Sequence, residues 1–494
     1  MKYISTRNKN LNLDASSAIL QGLSKDKGLF ILENPSDLKV NLEDCLNMDY
    51  LELAYEILSK YLNDFTSEQT HTCISNAYTH TFSSKDITPT VKVKDDYILE
   101  LFYGPTSAFK DVALQILPHL LTTSLKIQGS REEIIILTAT SGDTGKAALE
   151  GFKDVDNVRI IVFYPKDGVS DVQKKQMLTS EGKNCYVIGV NGNFDDCQRK
   201  VKECFVDEEL KEYMEKNHQK FSSANSINIG RLIPQIVYYF KAYLDLVNKK
   251  EINLYDKVNV SVPTGNFGDI LAGYLAKQMG CPIETFICAS NENNVLTEFI
   301  QTGIYNAKRI FKKTNSPSMD IVISSNLERL LYLYCKDDSL VTQMMNDLQE
   351  NGSYELTSDM KTRLQNEFFA SYTTQVETKD LIKEVYEKEN YLLDPHTAVA
   401  YKGMLDFKKE NRNNYKTIVL STASPYKFMD TVLNSISESK SDEFKMMEEC
   451  EQLTNVMIPN NLKNLKEKEN LHNTNVEISE MKNAILNILG EKYD

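Results

Sequence analysis

A lysine at the mouth of a helical stretch is the first residue in this chain whose setting suggests chemistry. Segment 99–111 reads LELFYGPTSAFKD and places Lys110 after Ala108 and Phe109 and before the apolar run 112–121. Desolvation and a helix N-terminus both disfavour an ammonium ion, so Lys110 has the surroundings of a Schiff-base former and proton shuttle near neutral pH. Taken alone, the same pattern also suits an ordinary lysine that lays its stem along apolar surface and keeps its charge in water.

Four loops carry further polar groups at suggestive spacing. In 140–147, TSGDTGKA, two glycines allow close backbone approach while Ser141 and Thr144 supply hydroxyls. A carboxylate or phosphate held by amides at a helix start would suit it, as would a plain helix-entry loop. A nucleotide-binding G-x-x-x-x-G-K-[ST] loop fails on spacing, because Thr140 and Ala147 occupy positions that need glycine and a hydroxyl. In 264–269, TGNFGD, the amides of Asn266, Phe267 and Gly268 can converge on a phosphate at the positive end of the next helix, with Asp269 expected to cap that helix. Segment 225–231, NSINIGR, offers Asn225 and Arg231 to an anion, although Arg231 in isolation suits a salt-bridged surface residue better, and 421–427, STASPYK, clusters hydroxyls after an apolar run.

The elements that must position these loops share one pattern: a β-branched run, a tight loop of small residues, then apolar residues at helical spacing. EIIILTA (133–139) precedes TSGDTG, and 258–263 precedes TGNFGD, with further buried strands expected at 159–164, 185–190 and 417–420. Strands alternating with helices imply a mostly parallel sheet covered on both faces. The first 95 or so residues have helical stretches at 48–62 and 66–78 and few strand-like runs, and read as a separate unit. The last 55 or so, rich in Lys, Glu and Asn with an amphipathic stretch at 476–489, read as a solvated helical tail packed on the main body.

Composition narrows the function classes. The chain has 494 residues, 41% hydrophobic and 26% charged, which fits a folded protein of roughly three structural units. A net charge of −14 disfavours nucleic acid and anionic lipid as partners, so an anionic substrate needs donors concentrated in a pocket. There is no apolar N-terminal stretch of the signal-peptide kind and no window long enough to span a membrane. Nine scattered cysteines and six dispersed histidines, with no C-x-x-C pair and no H-E-x-x-H, suggest reduced thiols in a cytoplasmic protein and no catalytic metal.

In combination and in order, these segments resemble those of the threonine synthases, within the fold-type-II pyridoxal-phosphate enzymes. The resemblance runs from STRN near residue 5 and AILQGLSKDKGLF to the C-terminal region, and includes SPSMDIVISSNLERL, DPHTAVA and STASPYKF. It implies an α/β fold of the tryptophan-synthase-β type, with mostly parallel twisted sheets in two domains flanking the cofactor and a largely helical N-terminal unit. The expected boundaries are 1–95, 96–255 for the cofactor-lysine segment and smaller domain, and 256–494 for the larger domain and tail.

By the same resemblance, Lys110 forms the Schiff base with pyridoxal 5'-phosphate, Gly265, Asn266, Phe267, Gly268 and Asp269 hold the cofactor phosphate, and Thr422 faces the pyridine nitrogen. Thr140, Ser141, Gly142, Asp143 and Thr144 bind substrate, with Asn225 and Arg231 receiving its phosphate. The implied reaction, the last step of threonine biosynthesis, converts O-phospho-L-homoserine and water to L-threonine and phosphate by γ-elimination and β-addition of water, in a cytoplasmic monomer or homodimer. The alternative is a related phospho-lyase or dehydratase releasing 2-oxobutyrate. A binding protein without catalysis is disfavoured because Lys110 is retained. Three positions depart from the family pattern: Tyr103 and Ser424 stand where histidines are usual, and Lys27 interrupts a D-G-G sequence.

Overall fold

The computed structural model describes residues 2–140, 142–166 and 169–490. The β-branched runs assemble into two main sheets. The larger has six strands in the order Phe368–Tyr372, Ile283–Ser290, Val258–Pro263, Lys416–Ser421, Asp96–Glu100, Thr90–Val93. Neighbours are parallel except for the final hairpin. Every residue of Val258–Pro263 is buried, as a strand covered on both faces requires. Helix Pro395–Lys409 covers one face, its Ala400 carbonyl accepting the Ser261 hydroxyl at 2.6 Å.

The smaller sheet has five strands, Thr474–Glu477, Cys185–Asn191, Val158–Pro165, Glu133–Ala139 and Gln219–Ser222, all parallel. The doubly covered parallel architecture expected from the strand–turn–helix pattern is the one found. Strand membership crosses the boundaries read from sequence, however. Asp96–Glu100, placed with the smaller domain, pairs with Lys416–Ser421 of the larger sheet. The C-terminal stretch, placed with the larger domain as a solvated tail, adds Thr474–Glu477 to the smaller sheet and buries Met481, Ile485, Ile488 and Leu489 with Ile135, Leu137, Ile161 and Phe163. Local propensity identifies a strand but not its partner, which is set by contacts distant in sequence.

The N-terminal helices Tyr50–Tyr61 and Ser67–Tyr78 each begin with a capping box, Asp49 with Glu52 and Thr66 with Gln69. Three short antiparallel strands, Asn8–Leu13, Tyr3–Ser5 and Phe30–Leu32, were not legible as strands, because two are only three residues long and NKNLNL is mostly exposed. This unit shares one continuous apolar core with residues of both main sheets, such as Ile134, Ile136, Val260 and Leu420. It is also tied to segment 324–330: Arg7 pairs with Glu328 at 2.8 Å, and the Arg329 guanidinium, fully buried, donates to the Phe30 carbonyl at 2.9 Å. Among the described residues, no helix is long and apolar enough to cross a membrane.

Candidate active site

Four loops leave the carboxyl ends of parallel strands, where open α/β sheets present their ligand-binding crevice. Residues 101–109 follow Asp96–Glu100, 422–424 follow Lys416–Ser421, 264–267 follow Val258–Pro263, and 140–142 follow Glu133–Ala139. The first two run side by side. Leu101 donates to the Ser421 carbonyl at 2.9 Å, Phe109 to that of Thr422 at 2.8 Å, and Ser424 to that of Ser107 at 3.0 Å.

This ladder delivers Lys110 as the first residue of helix Lys110–Ile127. Its Nζ has no hydrogen bond or ion pair with any described residue, and it lies 5.9 Å from the centroid of the Phe109 ring. Burial lowers the amine to about 8; Lys427 and Arg231 push the same way, against the opposing pull of Asp143 and Asp111. The Thr422 hydroxyl, on a buried residue, likewise has no partner among the described residues.

In the 264–269 loop the carbonyls are tied outward. Gly265 accepts from the Ser324 hydroxyl at 2.7 Å, and Asn266 from the amide and side chain of Asn326 at 3.0 and 3.1 Å. Phe267 takes a left-handed φ of 62° and opens helix Gly268–Gln278. A side chain at Gly265 would meet the Ser318 carbonyl at 2.9 Å. The amides of Gly265, Asn266, Phe267 and Gly268 are left with no acceptor among the described residues, at the positive end of an eleven-residue helix.

Asp269 does not cap that helix, contrary to expectation. Its carboxylate accepts the hydroxyls of Tyr238 and Tyr239 at 2.6 and 2.8 Å, its second oxygen has no partner, and burial raises its pKa to about 6. Two tyrosines packed from helix Gln235–Asn248 reach it before any backbone amide does.

The loop between strand Glu133–Ala139 and helix Asp143–Phe152 is partly self-supporting. The Thr140 hydroxyl accepts the amides of Gly142 and Gly145 at 3.0 and 3.1 Å, so it serves the loop itself. A side chain at Gly142 would meet Gln173 at 2.6 Å. The amides of Asp143 and Thr144 have no partner among the described residues; Ser141 lies outside them. The Asp143 carboxylate is taken by Lys427 at 2.6 Å and by Gln173 at 2.8 Å.

Arg231 sits on the short helix Ile229–Leu232, which Asn228 caps through the Gly230 amide at 2.9 Å. It is 4% exposed, donates from Nη1 to the Ala224 carbonyl at 2.7 Å, and leaves Nε without a partner. No described carboxylate pairs with it, and burial lowers the guanidinium to about 10. Such a cation lacks its counter-ion. Asn225, expected to act with it, is exposed, in the loop that precedes this helix.

Sequence reading did not assign roles to several groups that support these loops. Lys427 belongs to STASPYK and His396 to DPHTAVA, both noted without a chemistry. His396 Nε2 accepts the Ser318 amide at 3.1 Å while Nδ1 faces Asp394 at 2.8 Å, which places the ring proton on Nδ1 and fixes the backbone beside Gly265. Tyr103 and Ser424, in place of histidines, have structural bonds: the Tyr103 hydroxyl donates to Glu100 at 2.8 Å, and Ser424 caps the turn Pro425–Lys427.

Three family models match in succession: threonine synthase N terminus over residues 2–78, pyridoxal-phosphate dependent enzyme over 78–423, and threonine synthase C-terminal over 397–477. Threonine synthase-like 1 from Pongo abelii is 38% identical over 441 residues, covering 87% of this chain; the chain spans only 58% of that relative's length. Threonine synthase from Schizosaccharomyces pombe is 35% identical over 474 residues, 90% of each chain. The crystal structure of pyridoxal-phosphate-bound threonine synthase from Brucella melitensis superimposes with a TM-score of 0.88 at 34% identity, covering 99% of this chain and 100% of that one. With these matches spanning both the cofactor fold and its two flanking segments, the chain belongs to the threonine synthase family of pyridoxal-phosphate dependent enzymes.

Proposed function

We propose that this protein is a threonine synthase, converting O-phospho-L-homoserine and water to L-threonine and phosphate. The observation that carries the substrate assignment is Arg231: a buried guanidinium with an orphaned Nε and no carboxylate partner among the described residues, close enough to Lys110 to perturb its amine. An anionic group on the substrate supplies the missing counter-charge, and guanidinium matches phosphate in both geometry and charge.

The residues present fit pyridoxal 5'-phosphate. Four unpaired amides at a helix N-terminus suit its phosphate, the unpartnered Thr422 hydroxyl suits its ring nitrogen, and the unpaired Lys110 amine suits its aldehyde. When bound, the cofactor supplies an electron sink for negative charge developing on the substrate carbons. A hydroxyl, in place of a carboxylate, at the ring nitrogen leaves that sink restrained.

This chain's own groups then do the rest. Lys110, with its amine at about 8, is poised to take the Cα proton and then a Cβ proton of the substrate. Arg231 holds the substrate phosphate and stabilises the charge that develops as it leaves. The free amides of Asp143 and Thr144 receive the substrate carboxylate at the start of helix Asp143–Phe152.

The test is a product assay with purified protein, pyridoxal phosphate and O-phospho-L-homoserine, following phosphate, threonine and 2-oxobutyrate together. Threonine equal to phosphate supports the proposal. Phosphate accompanied by 2-oxobutyrate instead would make the protein a phospho-lyase, and no phosphate release would reject the substrate.

A further inference from the structure

A buried ion pair joins the two sheets beside the reactive lysine. Lys427, in the turn that follows strand Lys416–Ser421 of the larger sheet, meets Asp143, which opens the first helix after strand Glu133–Ala139 of the smaller one. The Nζ–Oδ1 distance is 2.6 Å, with side-chain exposures of 0% and 3%. Desolvating both charges offsets most of their attraction, so the pair adds little net stability that an apolar contact would not supply. Its position relative to Lys110 gives it another use.

Four charged groups bear on the Lys110 amine: Asp143, Lys427, Arg231 and Asp111. Both carboxylates among them already have other donors. Asp111 accepts from the amide and hydroxyl of Thr106 at 2.8 and 2.6 Å. Asp143 is held by Lys427 and by Gln173. Thr106 links the two arrangements, because its carbonyl accepts from Lys427 Nζ at 2.8 Å. The amine that must stay reactive is the one left without a carboxylate.

We propose that Lys427 is a positioning residue that occupies the Asp143 carboxylate, denying it to Lys110, and pins the substrate loop of the smaller sheet to the Lys110 segment of the larger. Remove Lys427, and Asp143 becomes a buried anion whose remaining ammonium neighbour is Lys110. Pairing there holds Lys110 protonated and draws it from its reactive position. The inference rests on the proposed role of Lys110 as the reactive amine, but it can be read with no substrate present.

The experiment is trace acetylation of the full-length, cofactor-free chain across pH, with the extent at Lys110 measured by peptide mass spectrometry. Wild type should show a midpoint near about 8. Lys427→Met should raise it to about 9 or higher, the effect of an opposite charge no longer shared. Lys427→Met with Asp143→Asn should bring it back toward about 8, a rescue that simple loosening of the fold would not produce. Equal midpoints in wild type and Lys427→Met would overturn the proposal. Should Lys427→Met not fold, Lys427→Gln compared with Lys427→Gln plus Asp143→Asn isolates the same carboxylate: the midpoint must be higher in the single variant, and coincidence of the two would be equally fatal. Failure to form threonine would count against the proposed reaction and leave these midpoints unaffected.

Discussion

The amide of Phe109 donates to the carbonyl of Thr422 at 2.8 Å, so the residue preceding the lysine proposed as the Schiff-base former is hydrogen-bonded to the residue proposed to face the cofactor ring. With the rungs from Leu101 and Ser424 on either side, the backbone sets the spacing between Lys110 and Thr422, independently of side-chain packing. A rigid frame of this kind allows the two groups to act on one small planar ligand.

Lys110→Ala should abolish the visible absorption band that pyridoxal phosphate acquires on Schiff-base formation, and lower kcat by about a thousandfold or more. Because the amine has no hydrogen-bond or ion-pair partner among the described residues, the melting temperature of the cofactor-free chain should not fall. A spectrum like that of wild type would remove Lys110 from its assigned role.

Arg231→Met separates activity from stability. Turnover of O-phospho-L-homoserine should collapse while the cofactor band persists. Relief of an unpaired buried cation should outweigh the lost bond to Ala224 and stabilise the cofactor-free chain by about 1–2 kcal/mol. Denaturant titration of both proteins checks the sign, and a destabilised variant would show that Arg231 has a structural partner.

Asp269 makes stability depend on mildly acid pH. Its carboxyl is raised to about 6 in the fold, above its unfolded value, so the native state holds the proton more tightly. This contribution is fully present below about pH 4 and is lost as pH rises through about 6, a change of about 3 kcal/mol. Asp269→Asn, which cannot titrate, should therefore gain about that much relative to wild type between pH 4 and pH 7, in denaturant titrations without cofactor. Asp111, raised to about 6 as well, is common to both proteins and cancels from the difference.

Lys27 gives a conformational prediction. Its backbone adopts a left-handed φ of 67° on an exposed turn, a conformation that glycine reaches without steric cost. Lys27→Gly should stabilise the protein by about 0.5–1 kcal/mol, the relief of the left-handed penalty less the entropy glycine loses on folding. A melting temperature at or below wild type would show that the lysine side chain compensates for its backbone.

Much of this protein was legible in its residues. Periodicity gave the buried strands and the helices that follow them, because alternation of apolar and small residues reports burial and turn geometry locally. The motif order singled out Lys110, the TGNFGD loop and Arg231, each of which sits in a setting that suits its assigned chemistry. What could not be read were relationships between distant segments. The last strand joins the smaller sheet, two tyrosines in place of a backbone amide hold Asp269, Asn225 lies exposed while Arg231 is buried, and Lys427 takes Asp143. Those outcomes depend on which side chain arrives first at a buried charge and which strand edge remains open. Both are decided by the packing of the whole chain, since desolvation and partner geometry exist only once the sheets have come together.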